Sequence, residues 1–162
     1  MKPLISKEKI ILDVCCGGRM FWFNKKHPNV LYVDIRKENK GFMRVRPNFE
    51  IAPDEIQDYT NLKYPDKSFK MVVWDPPHTI RPGTAKTGII AMRYGRLFLE
   101  SWEENLELGF KECWRVLEDY GVLIFKWNSK EKKLDQILKL FPYPPCSDTL
   151  PTIKETRIGF VL

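Results

Sequence analysis

The segment Asp75-Pro76-Pro77-His78 has residue types that could hold an amino group still while it reacts. Its two prolines fix φ, and Pro76 also keeps Asp75 out of the helical region, so the turn is stiff. An exocyclic amine of adenine or cytosine is a poor nucleophile because its lone pair is delocalised into the ring. The Asp75 carboxylate and the Pro76 carbonyl could accept its two hydrogens and so orient the lone pair. We therefore predict that this turn positions an amine for group transfer.

A second turn, earlier in the chain, has the composition of a nucleoside-binding turn. An apolar run ends in Cys15-Cys16-Gly17-Gly18-Arg19, and a helix is predicted to follow the glycine pair. Glycine here allows positive φ and close approach of a ligand. Asp34 ends the next apolar run about 20 residues on, the place of a ribose-binding acid in nucleoside-binding folds. A tight turn without a ligand is the alternative. The GxGxxG fingerprint is absent, because Cys15 and Met20 stand where glycines are needed, so a pyrophosphate ligand is disfavoured.

Elements of alternating type must position these two turns. Short, nearly continuous apolar runs predict strands that are buried on both faces. Apolar residues at every third or fourth position from Leu99 to Leu117 predict an amphipathic helix that ends at Gly121. A second helix is predicted from Glu131 to Phe141, where Pro142 ends it. The predicted strands cover residues 9–15, 30–35, 69–74 and 121–127, with a weaker one at 54–57.

Strands that alternate with helices predict parallel pairing through right-handed crossovers. The fold class is therefore α/β, with a doubly wound, mostly parallel, Rossmann-like sheet and helices on both faces. We expect one domain over residues 1–162. Ligands of such sheets bind beyond the carboxyl ends of the strands, and both turns lie there.

The two turns resemble motifs of class I S-adenosylmethionine-dependent methyltransferases. The likeness covers residues 9–128 in motif order and is closest to small phage and bacterial amino methyltransferases with an Asp-Pro-Pro-aromatic motif. It implies S-adenosylmethionine as the cofactor and methyl transfer to adenine N6 or cytosine N4. The fourth motif residue of those enzymes stacks on a base that has left its helix. Here that residue is His78, for which a general-base role is the alternative.

The same resemblance implies which residues bind the cofactor. Asp13, Cys15 and Gly17 would flank its methionine end, in a turn where Arg19 replaces a frequent third glycine. Asp58 would accept a hydrogen bond from the adenine amino group with Tyr59 alongside, and a turn aspartate is the alternative. For the three aromatic residues that follow the glycine turn, core packing is favoured over cofactor contact. They are Phe21, Trp22 and Phe23.

Basic and aromatic residues near the same edge are candidates for substrate binding. Arg81, Lys86 and Arg93 lie in residues 79–95, which form either a flap over the target or a solvated loop. Lys126 and Trp127 could hold a phosphate and a base, and capping of the core is an equal alternative for Trp127.

The family pattern also predicts a reversed strand at residues 156–162. We expect no counterpart in this sequence of the separate target-recognition segment that DNA-modifying members of the family have. Specificity would then come from a homodimer partner, an accessory protein, or a structured or single-stranded substrate. A protein or small molecule is an alternative methyl acceptor. A non-catalytic nucleic-acid-binding module on the same fold is a third interpretation.

Composition narrows the classes of partner. A net charge of +6 and a pI near 9.1 favour DNA or RNA. The four cysteines form no CxxC pair, and we see no signal peptide or bilayer-spanning run, so a cytoplasmic protein without a membrane partner is expected. The two histidines, His27 and His78, and the adjacent cysteines lack metal-ligand spacing, so no metal is expected.

Overall fold

A computed structural model describes residues 9–83, 88–148 and 155–161 of the chain. No helix within these ranges is long and apolar enough to cross a membrane. In chain order the elements are β1 (Ile11–Asp13), β2 (Val30–Asp34), β3 (Glu55–Ile56), β4 (Phe69–Trp74), β5 (Ile80–Arg81), α1 (Ile89–Tyr94), β6 (Leu97–Phe98), α2 (Trp102–Val116), β7 (Leu117–Asn128), α3 (Leu134–Leu138), β8 (Ser147–Asp148) and β9 (Glu155–Val161).

The main sheet has the predicted, mostly parallel, Rossmann-like topology. Its strand order is β3-β2-β1-β4-β7-β9-β8, and a separate pair joins β5 to β6. The pairings of β1 with β2 and β4, of β2 with β3, and of β4 with β7 are all parallel. β9 runs antiparallel to β7, which confirms the reversed strand near the carboxyl end of the chain. The α/β fold class predicted from the sequence is therefore confirmed.

The larger core lies on one face of this sheet, under α2 and α3. Alternate strand residues such as Leu12, Leu31 and Trp74 point to this face, since successive side chains of a strand point to opposite sides. From α2, Leu106 and Phe110 pack against them. The predicted helix is correct in place but shorter in fact, because it ends at Val116 and the chain continues directly into β7. Likewise, α3 covers only the middle of the predicted second helix.

The other face is covered by turns between β1 and β2 rather than by the helix predicted after the glycine pair. The backbone of Gly17 and of Arg19 has positive φ, at 47° and 55°, which interrupts a right-handed helix. Trp22 packs there with Tyr32, their ring centroids 6.0 Å apart, as the packing prediction requires. The prediction that Phe23 packs in the core was wrong, because its side chain is fully exposed.

Gly109 in α2 provides a test of this close packing. A Cβ at this position would lie 2.6 Å from Trp74 Cζ2 and 2.7 Å from the Tyr59 ring. Gly109→Ala should therefore destabilise the fold by about 1 to 3 kcal/mol in urea unfolding, despite the better helix propensity of alanine. Glu107→Ala, at an exposed position of the same helix, is the matched control. Equal stability of the two variants would contradict the close contact.

Candidate active site

Three neighbouring parallel strands end beside one pocket. The register pairs Asp13 of β1 with Val73 of β4, and Trp74 of β4 with Phe125 of β7. The residues that follow, Asp75 and Lys126, therefore emerge side by side at the carboxyl edge. The pocket at this edge is lined by Asp13, Cys15, Cys16, Gly17, Gly18, Met20, Phe21, Arg36, Asp75, Arg93 and Tyr94. The glycine turn and Asp75, the first residue of the Asp-Pro-Pro-His segment, thus line one pocket.

Asp13 is a buried carboxylate at the floor of this pocket, with only 2% of its surface exposed. Trp22 Nε1 donates to Asp13 Oδ2 at 2.7 Å, and the Cys15 N–H donates to Oδ1 at 3.3 Å. Burial raises the pKa of Asp13 from 3.8 to about 7, and the negative charges of Asp75 and Asp34 add to the effect. The floor of the pocket therefore favours a cation, which relieves this crowding of carboxylates.

The glycine turn is held tightly from outside. Gly17 has φ of 47°, as predicted for this position, and a Cβ on Gly18 would lie 2.3 Å from the Phe49 ring. Arg19 also has a left-handed φ, a conformation that favours glycine. Its guanidinium bonds Asp54 at 2.8 Å and lies 3.9 Å from the Tyr32 ring centroid. These contacts hold the side chain of Arg19 outside the turn.

Asp34 ends β2 and is almost completely buried. Its Oδ2 accepts the Gly17 N–H at 2.9 Å, and its Oδ1 accepts the backbone N–H of Arg36 at 2.9 Å. The Arg36 guanidinium adds bonds from Nε at 3.1 Å and from Nη2 at 3.3 Å. A carboxylate offers about four acceptor positions, so this set uses its full capacity. The sequence prediction of a ribose-binding acid did not foresee Arg36 in this place.

The Asp75 carboxylate is paired across the strands with Lys126. Lys126 Nζ lies 2.9 Å from Asp75 Oδ2, with the two side chains 17% and 28% exposed. Lys126, predicted to hold a phosphate, thus orients the carboxylate expected to accept the amine. Pro76 is buried and Pro77 is partly buried, which keeps the turn rigid. His78 lies beside Tyr94, with the ring centroids 5.9 Å apart.

Two residues predicted to contact the adenine have other surroundings. Asp58 Oδ1 accepts the N–H and the hydroxyl of Thr60 at 2.9 and 2.8 Å, which is the turn-aspartate alternative. Tyr59 is 8% exposed, packs on Trp74 and donates its hydroxyl hydrogen to Asn105. The prediction for Tyr59 was wrong because its ring fills the core under α2. Neither residue lines the pocket.

The predicted substrate-binding residues also divide. Arg81 is the last residue of β5, and its Nη1 forms an ion pair with Glu131 at 2.9 Å. Lys86 lies outside the described residues. Trp127 is 1% exposed, stacks on Phe125 and donates from Nε1 to the Lys132 carbonyl at 2.9 Å. A base cannot stack on a ring in the core, so the prediction for Trp127 was wrong and the core alternative holds.

Arg93, expected to contact a phosphate, lines the pocket of the glycine turn instead. Its Nη2 lies 2.7 Å from Met20 Sδ, and its guanidinium carbon lies 4.7 Å from the Tyr94 ring centroid. Its Nε is buried without a hydrogen-bond partner, and no described carboxylate forms an ion pair with it. A buried donor without an acceptor costs free energy, so this pocket is suited to an anionic group beside Arg93.

Sequence reasoning missed two hydrogen-bond donors, Trp22 to Asp13 and Arg36 to Asp34. Arg36 had a usable signal, because residues two apart on an extended chain point to the same side. Trp22 had none, since its contact depends on the irregular turns between β1 and β2. Among the described residues, no group of three metal-ligating side chains is present.

Solved structures share this fold at low sequence identity. The PH0226 protein of Pyrococcus horikoshii OT3 is 15% identical with a TM-score of 0.55, over 93% of this chain and 80% of that chain. A SAM-dependent methyltransferase from Aquifex aeolicus is 12% identical with a TM-score of 0.54, over 95% and 82%. No protein-family model and no curated protein matches the sequence. Identity this low shows the common fold, and activity requires its own argument.

The raised pKa of Asp13 predicts how stability depends on pH. Between pH 3.8 and about 7 the folded chain binds a proton here that the unfolded chain has lost, so stability falls as pH rises through this range. Asp13→Asn keeps an acceptor for Trp22 and removes the titration. The unfolding free energy of the wild type should fall by about 2 to 4 kcal/mol over this pH range because of Asp13, and that of Asp13→Asn should not show this fall.

Urea unfolding at intervals from pH 4 to pH 8 measures this difference. Asp135→Asn, at an exposed position on α3, is the control and should follow the wild type. Parallel pH profiles for Asp13→Asn and the wild type would contradict a raised pKa at Asp13.

Proposed function

We propose that this protein is an S-adenosylmethionine-dependent methyltransferase that acts on an exocyclic amine of a nucleic-acid base. The observation that carries the proposal is the shared pocket of Asp75 and the glycine turn. A carboxylate in a stiff turn faces the place where the fold binds a nucleoside cofactor. A module that only bound nucleic acid would not need an oriented acceptor there.

The residues of the pocket fit the amino-acid end of S-adenosylmethionine. That cofactor supplies an activated methyl group on a sulfonium cation. Asp13 is buried at the floor of the pocket and forms no ion pair with a described cation, so a sulfonium or ammonium group bound there would stabilise its ionised form. Arg93, with its unpartnered buried Nε, is our candidate for the carboxylate of the same end. The pocket thus offers both signs of charge to a zwitterion.

In this proposal Asp75 and Pro76 bind the two hydrogens of the target amine and direct its lone pair into the pocket. Lys126 fixes the orientation of the Asp75 carboxylate through its bond to Oδ2. Asp75 then stabilises the positive charge that develops on the nitrogen and receives its proton. Positioning and electrostatic stabilisation account for the catalysis, because the leaving group is already activated. His78, whose ring centroid lies 5.9 Å from that of Tyr94, is our candidate for stacking on the target base.

Asp34 remains our candidate for the ribose hydroxyls, with one requirement. All four acceptor positions of its carboxylate are used, three of them by Arg36. Ribose therefore binds Asp34 only if the Arg36 guanidinium moves aside. Arg36 Nη1 also donates to the Met92 carbonyl of α1 at 3.3 Å, so this movement would change the wall of the pocket.

Substitution of Asp75 tests the catalytic part of the proposal. Asp75→Asn should bind S-adenosylhomocysteine within about twofold of wild type and lose at least about a hundredfold in methyl transfer, because a charged acceptor is removed. The assay offers labelled S-adenosylmethionine to total DNA, total RNA and protein extract and identifies the product. Asp119→Asn, which removes an exposed ion pair with Lys67, is the control. Undiminished transfer by Asp75→Asn, or label found on protein alone, would refute the proposed reaction.

Substitution of Arg93 tests the orientation of the cofactor. Arg93→Gln should weaken S-adenosylmethionine binding by about 1.5 to 3 kcal/mol in calorimetry, because a charge-assisted hydrogen bond is removed. Decarboxylated S-adenosylmethionine keeps the sulfonium and the amine but has no carboxylate. Arg93→Gln should therefore leave the affinity for this ligand unchanged. Equal weakening for both ligands would instead mean that Arg93 only supports the pocket wall.

A further inference from the structure

The positive charge of the chain is concentrated in one stretch. Residues 19–46 contain eight of the 27 lysines and arginines but only two of the 21 acidic residues. Their formal charge of +6 equals the net charge of the whole chain, so the remaining 19 basic and 19 acidic residues cancel. A local excess of this size creates a positive potential that attracts polyanions.

Most of these cations are exposed and without ion pairs. Arg19 pairs with Asp54 and Arg36 pairs with Asp34. The other six form no ion pair with any acidic residue that the structure describes, and each is solvent-exposed. They are Lys25, Lys26, Lys37, Lys40, Arg44 and Arg46. No acidic residue in the described part of the chain therefore accounts for their charge.

Four of these six cations lie on a loop beside the active-site pocket. We call residues 37–49 the basic loop. Glu38 and Ile51 close it as a bridge, and the Gly41 N–H donates to the Pro47 carbonyl at 2.8 Å. Phe49, at its end, packs against Gly18 and lies 5.9 Å from the Arg93 guanidinium. The basic loop thus borders the mouth of the pocket.

Aromatic rings stand among these charges. Phe23 is fully exposed on the turn that carries Lys25 and Lys26. Phe42 is partly buried within the basic loop, its ring centroid 5.9 Å from that of Phe49. Arg19 donates to the Lys25 carbonyl of this turn and to the Ala52 carbonyl, which lies three residues after the basic loop. Cations that follow a backbone and rings on which bases stack are the two features of single-strand binding surfaces.

We propose that the basic loop and the turn at residues 23–26 bind single-stranded nucleic acid and guide its bases into the pocket. The surface would take the role that a separate target-recognition segment has in the DNA-modifying enzymes that the sequence resembles. Single strands are favoured because a base within a duplex must first be unstacked, at a cost of a few kcal/mol, before it reaches a pocket. The surface rests on charge and geometry, and it draws on the proposed function for the fate of the bound base.

The test compares two variants with the same change of charge. Lys37, Lys40, Arg44 and Arg46 are changed to Gln in the loop variant. The control variant carries four changes to Gln at exposed lysines that pair with no described acidic residue. They are Lys63, Lys70, Lys111 and Lys139. Fluorescence anisotropy measures binding to a labelled single-stranded oligonucleotide, as DNA and as RNA, over a series of salt concentrations. A duplex of the same sequence is the third probe.

The loop variant should bind single strands at least about tenfold more weakly, and the salt slope should fall by about 0.7 for each phosphate that it no longer neutralises. The control variant should stay within about twofold of wild type. Equal weakening of both variants would mean that only total charge acts, and it would overturn the proposed surface. Tighter binding of the duplex than of the single strand by wild type would overturn the single-strand assignment.

Cofactor binding separates this inference from the proposed function. Both variants should bind S-adenosylhomocysteine as wild type does, which also shows that they fold. A wild type that binds oligonucleotide through the basic loop but never binds S-adenosylhomocysteine would refute the methyltransferase and retain the surface. A wild type that transfers methyl groups while the loop variant behaves like the control would refute the surface alone.

Discussion

The pairing of β4 with both of its parallel neighbours is the constraint on which the site depends. Hydrogen bonds to β1 set the level of Asp13, and hydrogen bonds to β7 set the level of Lys126. Asp75 emerges between them, so its carboxylate meets a lysine on one side and the glycine turn on the other. A shift of one residue in either register would turn these side chains to the opposite face. The chemistry of the edge is therefore a consequence of backbone pairing.

The carboxylates at this edge of the sheet differ in whether a cation pairs with them. Asp34 and Asp75 are each held by a cation, whereas Asp13 has only neutral donors and a raised pKa. Neutral donors stabilise a buried carboxylate less than a cation does. A positive group added to the pocket would therefore stabilise the ionised form of Asp13 more than that of Asp34 or Asp75. The same arrangement leaves Arg93 as a cation without a described carboxylate. Asp13 and Arg93 thus line the same pocket without an ion pair between them among the described residues.

The sequence predicted the parts of the fold that depend on local pattern. The apolar runs of β2 and β4 could be identified because strands buried on both faces leave few alternatives. The pattern failed where a ring could serve either a core or a ligand, as at Tyr59 and Trp127, since exposure is decided by distant contacts. It also failed after Gly17, where the left-handed backbone of Arg19 depends on an ion pair to Asp54. Candidate site residues could therefore be named from the sequence more easily than the residues that contact them.

The saturated carboxylate of Asp34 affects how any nucleoside affinity of this chain should be understood. A hydroxyl that reaches it replaces hydrogen bonds already made by Arg36, so the number of bonds to the carboxylate hardly changes. The measured affinity would then be an exchange free energy, the difference between a ribose and a guanidinium on one acceptor. Weak binding would not by itself mean a poorly formed site. It would also reflect how well the empty protein satisfies its own acid.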